Sequence, residues 1–351
     1  MVELNNFDEY NQLDSLDMYG NIENLPSQLE AAFKLSQKFP LPKFEKIEQV
    51  IICGMGGSAI GGDLLLSYIS PLCDVPVVVN REYLLPAWAK GESTLMIASS
   101  HSGNTEETLA AFEQALGRGC QMMAVSTGGK IEAKSLENKV PIWKFDHSGQ
   151  PRTAVGFSFG LLLGFFSRLN LIPDQNEPLA AAICSMRKLQ EGITKEIPIS
   201  RNAAKQYAEE MHGKWVTIIG SDYLAPVSRR WKGQVSENAK AWAQYEFLPE
   251  ADHNTLAGLE KPEALFENMV TIFLTAPSDY ERNKIRSKFT EEGFASSGMS
   301  TRVFQALGKC ALEHIWTTLL FGDYVSYYLS MLNEVDPTPV TALANLKNAL
   351  S

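Results

Sequence analysis

Gln49-Val50-Ile51-Ile52-Cys53-Gly54-Met55-Gly56-Gly57-Ser58-Ala59-Ile60-Gly61-Gly62-Asp63 is the stretch that decides the fold. A continuous apolar run ends in a glycine-rich turn, and a helical pattern runs on from Ser58 to Ile69. The same order recurs downstream. Thr94-Leu95-Met96-Ile97-Ala98 leads into Ser99-Ser100-His101-Ser102-Gly103-Asn104-Thr105, and a clean helix pattern follows from Thr105 to Leu116. Glycine lets a backbone approach a ligand closely, and a helix N-terminus offers N–H groups with partial positive charge. Ser and Thr hydroxyls add donors without bulk. Two such loops at the ends of neighbouring strands make a phosphate cradle.

Outward from these loops, strand and helix signals alternate. Val75–Val79, Gln121–Val125 and Val140–Lys144 read as further strands of the first half. The second half repeats the grammar: strands at Trp215–Ile219, Met269–Leu274 and Thr301–Gln305, and helices at Ala225–Trp242, Tyr280–Glu292 and Lys309–Leu332. Continuous apolar strands separated by helices imply parallel sheets covered on both faces. Two α/β domains are expected, over 22–190 and 191–351, each a three-layer α/β/α sandwich, and a duplicated fold is the economical reading. Pro26–Phe39 reads as an amphipathic helix before both halves. Val335-Asp336-Pro337-Thr338-Pro339 reads as a stiff turn before a last helix, Thr341–Leu350.

Composition narrows the function. With 351 residues and a formal net charge of -10, the chain lacks the basic face that nucleic acid or an anionic membrane would require. An acidic protein must hold an anionic ligand by locally placed donors. Its 5 cysteines are widely spaced, with no paired motif, which reads as reduced thiols without a zinc site. The N-terminal stretch has no signal-peptide pattern, and cytoplasmic residence is expected. The longest apolar stretch, Thr153–Ser167, falls short of the roughly 20 residues of a membrane span and reads as a buried helix.

The first loop is not a dinucleotide fingerprint. Its spacing is G-x-G-G-S, and Asn80-Arg81 stands where an acidic residue would hold a ribose, so no nucleotide cofactor is expected. The second loop sets Ser100, Ser102 and Thr105 around a helix start, with Glu106 and Glu107 in the first turn. Capping alone needs one hydroxyl, so anion binding explains the other two. His101 reads as a loop residue, and His147, His212 and His314 show no partner in the sequence.

The Ser-x-Ser-Gly-x-Thr loop with its upstream G-x-G-G-S loop resembles the sugar isomerase (SIS) domain. The resemblance extends over nearly the whole chain. GMGGSAIGGD, SHSGNTEET, PRTAVGFSFG, Ser236-Glu237-Asn238, Glu250-Ala251-Asp252-His253-Asn254 and the DPTPV…LKNAL tail stand in the order seen in bifunctional phosphoglucose/phosphomannose isomerases. The resemblance implies that Gly57 and Ser58 contact the sugar phosphate and that Ser100, Ser102 and Thr105 bind its phosphate. Arg152 would stabilise negative charge near the reacting carbons, and Glu237 would move the proton between C1 and C2. His253 and Lys347 would help open the ring, with His253 supplied by the partner subunit of a homodimer. Thr338 and Thr341 are both candidates for a place beside the sugar.

These roles suit the side chains. Aldose–ketose isomerisation takes a proton from carbon next to a carbonyl, which needs a carboxylate base and a cation near the developing oxyanion. Ring opening needs a second acid/base, and imidazole titrates near neutrality. No metal or other cofactor is expected, since no histidine pair or cysteine cluster has ligand spacing. The expected activity is reversible, metal-independent isomerisation of glucose 6-phosphate, and of mannose 6-phosphate, to fructose 6-phosphate through a cis-enediol. The alternatives are a non-catalytic sugar-phosphate-binding regulatory protein and an isomerase of another phosphosugar. On residues alone, Glu237 fits a solvated helix position, Arg152 a structural one, His253 an Asx-rich turn and Lys347 a solvated terminal helix.

Overall fold

The computed structural model describes residues 4–350, with the side chains of Phe7, Asp8, Lys347, Asn348 and Leu350 outside that description. Two short helices come first, α1 (Phe7–Leu13) and α2 (Met18–Glu23). Then follow α3 (Leu25–Lys38), β1 (Gln49–Cys53), α4 (Gly56–Ile69), β2 (Val77–Asn80), β3 (Thr94–Ser100), α5 (Glu106–Gly117) and β4 (Gln121–Ser126). The series continues with α6 (Gly129–Glu137), β5 (Ile142–Lys144), a 3-10 turn (Pro151–Ala154) and α7 (Val155–Arg168). After α8 (Asn176–Gln190) come α9 (Ala203–Met211), β6 (Trp215–Ser221), α10 (Ala225–Asn238), β7 (Ala243–Leu248) and α11 (Glu263–Phe266). The last elements are β8 (Met269–Thr275), α12 (Glu281–Ser296), β9 (Ser300–Gln305), α13 (Ala311–Leu332) and α14 (Thr341–Leu350). The chain divides into two compact units: Asn24–Ile183, and the chain up to Glu23 together with the chain from Cys184 onward.

The first unit is built on a 5-stranded sheet of order β2-β1-β3-β4-β5, parallel throughout. Successive strand residues face opposite sides, and here both sides are dry. Ile51, Cys53, Met96, Ala98, Met122 and Ala124 pack with Phe112 and Ala115 of α5 and Ile131 of α6. The alternate residues turn to the other face, where α4 lies so close that a Cβ on Gly62 would touch Ile52 and Val79. On that face α7 packs between α3 and α4. The expected buried helix is therefore α7, and its apolar character serves a helix-covered sheet face. Gln28 of α3 fastens the start of α7, donating to the Thr153 carbonyl at 2.8 Å and accepting from the Gly156 N–H at 2.9 Å.

The second unit carries a 4-stranded parallel sheet of order β7-β6-β8-β9. One face packs Ile219, Leu248 and Phe273 with Phe294 of α12. On the other face α13 is buried from Leu312 to Leu332. A helix buried all round must pair its polar groups. Arg230 of α10 makes a bidentate ion pair with Asp323, at 3.2 and 2.8 Å, and Trp231 donates its indole N–H to the Thr318 carbonyl at 2.9 Å. Tyr10 and Tyr19 pack edge-on against Tyr327 and Tyr324 of α13, with ring centroids 6.0 and 5.9 Å apart, which draws the N-terminal helices to this unit.

The two parallel α/β units follow the expected fold class. One segment departs from the sequence reading. The helix expected over Ala225–Trp242 ends at Asn238, and Ala243–Leu248 forms edge strand β7. Its interior residues are only half-buried, so the apolar run that marks a central strand is missing. No helix among the described residues is long and apolar enough to cross a membrane.

Candidate active site

In the order β2-β1-β3-β4 the chain leaves β1 in one direction and β3 in the other, so their following loops part at the crevice between these strands. Open α/β sheets bind ligands at such a switch point. The two loops singled out in the sequence are the ones that flank it.

Ser100 ends β3, buried, with its Oγ 3.1 Å from Thr105 Oγ1 and accepting the Gly103 N–H at 3.1 Å. Ser102 is exposed, and its Oγ accepts the Asn104 N–H at 3.2 Å. Gly103 adopts φ +67°, and a Cβ there would lie 1.8 Å from the Gly128 carbonyl oxygen, so no other residue fits this turn. Thr105 stands at the N-cap of α5 in extended conformation, and its side chain makes no cap bond. The first-turn N–H groups of α5 thus open toward the hydroxyl cluster, an arrangement suited to an anion. Across the crevice, Ser58 in the first turn of α4 accepts the His101 N–H at 3.0 Å and ties the two loops together.

Arg152 joins this site. It is 4% exposed, in the 3-10 turn before α7. That turn rests on Gly57, where a Cβ would lie 2.5 Å from the Pro151 oxygen and 3.3 Å from Arg152 Cα. The first unit therefore brings together Gly57, Ser58, Ser100, Ser102, Thr105 and Arg152. It also holds a pair that sequence reasoning missed. His101 Nε2 is 2.9 Å from His147 Nδ1, and His147 Nε2 is 3.3 Å from Thr153 Oγ1. Burial holds His101 down to about 4, with the neighbouring imidazole adding to the effect, and burial lowers His147 as well. The only signal in the sequence was the placement of His147 just ahead of Pro151-Arg152-Thr153.

The second unit carries Glu237 and His253. Glu237 is half-buried at the end of α10, where the tail turn docks. Lys240 Nζ donates to the Asn238 carbonyl at 3.4 Å and to the Pro337 carbonyl at 3.3 Å, and Asn333 donates to the Ala239 carbonyl at 2.8 Å. Thr338 in that turn is buried, while Thr341 is exposed. His253 is exposed at the end of a 3-10 turn, Glu250–His253, that follows β7. Asp252 anchors the turn on α12, through Arg286 at 2.8 Å and Thr290 at 2.6 Å. The Lys347 side chain lies outside the described residues.

The second sheet has a switch point of its own, between β6 and β8, and it is filled differently. Asp222 accepts the Tyr280 N–H at 2.9 Å and the Asn283 side-chain N–H at 3.0 Å, and Asp279 accepts the Ala276 N–H at 2.7 Å. Burial, with the Asp222 charge added, pushes the Asp279 carboxyl up to about 7. Carboxylates at this crevice suit it poorly to a phosphate. His314 pairs there with Ser278 at 2.7 Å. Among the described residues no group of three His, Cys, Asp or Glu is arranged to hold a metal ion.

A bifunctional phosphoglucose/phosphomannose isomerase of Caldicellulosiruptor bescii is 35% identical over 336 residues, covering 95% of this chain and 99% of that relative. The chain belongs to the bifunctional phosphoglucose/phosphomannose isomerase family. The model of the bacterial phospho-glucose isomerase C-terminal SIS domain matches residues 200–350. A further family member, from Aquifex aeolicus, is 28% identical over 302 residues, covering 86% of this chain and 90% of that relative. The solved structure of a hypothetical protein from Thermus thermophilus shares the fold. It aligns with a TM-score of 0.73 at 16% identity, covering 95% of this chain and 89% of that one.

Proposed function

We propose that the chain interconverts glucose 6-phosphate and mannose 6-phosphate with fructose 6-phosphate. The observation that carries this reading is the seating of the buried Arg152 turn on Gly57, beside the Ser100–Thr105 hydroxyl pair at the switch point. A phosphate held by the loop leaves the sugar carbons to a buried guanidinium, the cation an enediolate needs.

The proton inventory follows. With the ring open, Glu237 takes the proton from C2 of an aldose and the C1 carbonyl oxygen becomes an enediolate oxygen stabilised by Arg152; the C2 hydroxyl proton then passes to that oxygen, and Glu237 returns its proton to C1 to give the ketose. Ring opening moves a proton from the anomeric hydroxyl to the ring oxygen, the work assigned to His253 and Lys347. A homodimer is supported by the second unit alone. α10 runs antiparallel to its strands, so Glu237 at its end lies by the starts of the strands, whereas His253 follows the far end of β7. A strand of this length spans about 20 Å. This separation supports a reading in which the His253 acting with Glu237 comes from a second copy.

The test is a coupled assay offering glucose 6-phosphate and mannose 6-phosphate separately to the purified protein, with and without a chelator. Both are expected to yield fructose 6-phosphate at rates the chelator does not change. Tight sugar-phosphate binding without turnover would instead establish a regulatory binding protein, and chelator-sensitive turnover would overturn the metal-independent mechanism.

A further inference from the structure

We infer that His147 is a positioning residue that couples the phosphate loop to the Arg152 turn through a one-directional chain of hydrogen bonds, His101 to His147 to Thr153 to Gln150. The inference rests on the reading of the loop and of Arg152 given above. It assigns work to two histidines that neither the loop motif nor the isomerisation chemistry requires.

The direction follows from counting protons. The Gln150 carbonyl can only accept, and Thr153 Oγ1 reaches it at 2.9 Å, shorter than its 3.3 Å contact with His147. The Thr153 hydroxyl proton is therefore committed to Gln150, and its oxygen accepts from His147 Nε2. A neutral His147 that donates from Nε2 must accept at Nδ1, so the 2.9 Å bond carries the proton of His101 Nε2. Both rings are then neutral Nε2–H tautomers. A proton added to His147 would set two N–H groups against each other across that bond. The burial that lowers both imidazoles acts in the same sense.

The surroundings are built for this chain. A Cβ on Gly149 would lie 2.8 Å from His147 Cε1 and 2.8 Å from Thr153 Oγ1, so glycine is what lets the segment fold the imidazole back onto the turn. Phe145 and Phe157 stack with centroids 4.8 Å apart, and each meets one of the two imidazoles edge-on. His101 is pinned at its backbone too: its N–H bonds Ser58, and its carbonyl accepts from the Thr127 N–H at 3.1 Å and hydroxyl at 2.7 Å. Gln28 holds the Arg152 turn from behind and His147 holds it from the loop side. The spacing between the hydroxyl loop and the Arg152 turn is thereby set before substrate arrives, as orientation of reacting groups requires.

The experiment compares His147→Phe, which keeps an aromatic ring, and Thr153→Val, which keeps the shape, with the unsubstituted enzyme. Each variant is expected to lose at least tenfold in kcat. KM for fructose 6-phosphate and competitive inhibition by inorganic phosphate should move less than threefold, because the loop hydroxyls are untouched. Nitrogen-15 NMR of the histidine rings at neutral pH should show both His101 and His147 as Nε2–H tautomers, with the His147 signature changed in Thr153→Val. Unchanged kcat in both variants, or an Nδ1–H tautomer at His147, would overturn the inference. The NMR result needs no turnover, so a failure of the isomerase reading would show as an inactive unsubstituted enzyme with the tautomers still in place.

Discussion

Gly57 and Pro151 meet backbone to backbone: a Cβ on Gly57 would lie 2.5 Å from the Pro151 carbonyl oxygen, closer than real side chains approach. The contact joins the first turn of α4 to the turn that carries Arg152, and a rigid neighbour on each side leaves neither free to give way. A missing side chain thus lets the Arg152 turn seat on α4.

Gly57→Ala is expected to push the Arg152 turn off α4. Overpacking of this kind costs about 1–3 kcal/mol. Unfolding by denaturant should show that loss, while kcat/KM for fructose 6-phosphate falls at least tenfold. Full activity in a stable Gly57→Ala protein would dissociate the turn from the chemistry.

Removing the proposed base should separate binding from turnover. Glu237→Gln keeps shape and hydrogen bonding, so sugar-phosphate affinity by calorimetry should hold while kcat drops by about 10²–10⁴. Arg152→Met should lower kcat more than it raises KM, the mark of an interaction made in the transition state. A variant of Glu237 that turns over normally would take the proton transfer elsewhere.

The buried Arg230–Asp323 pair holds α10, and with it Glu237, against α13. Burial raises the Asp323 carboxyl and the Arg230 charge lowers it. Arg230→Met strands a buried carboxyl and should cost about 3–5 kcal/mol. Replacing both residues by apolar ones, Arg230→Met with Asp323→Leu, should recover most of that loss in a denaturant titration. A double variant no more stable than the single one would show that the pair itself, rather than the stranded charge, sets the cost.

Stability should carry a pH signature from Asp279. Its folded-state carboxyl is raised to about 7 from an ordinary value of 3.8, so the folded chain binds the extra proton. That contribution is fully present below the unfolded value and is lost as pH rises to about 7. Asp279→Asn removes the penalty, so its Tm should exceed that of the unsubstituted protein by several degrees at pH 8 and converge with it near pH 4. His101, lowered to about 4, has the opposite slope between its folded and ordinary values, and comparing the two proteins cancels it. Parallel Tm curves across this range would mean that Asp279 is not protonated on folding.

How far the sequence could be read depended on where the interactions lie along the chain. Val50-Ile51-Ile52 and Leu95-Met96-Ile97 announced central strands because both their faces are buried and every residue is apolar. Ser100, Ser102 and Thr105 were legible as hydroxyls gathered at a helix start because such a start needs only neighbours in sequence to form. Edge strand β7 was not legible: with one side open, Gln244, Tyr245 and Glu246 need no apolar pattern. His314 likewise found Ser278 only once α13 was laid against the end of β8.

The parallel α/β architecture and the hydroxyl loop follow from residue order alone, since apolar periodicity and turn chemistry act over a few residues. Folding was needed to bring His101 to His147, 46 positions away, and to seat the Arg152 turn on Gly57. Those contacts depend on strand order and on backbone closeness that no local pattern encodes, because two segments far apart in the chain become neighbours only after the sheet between them has formed.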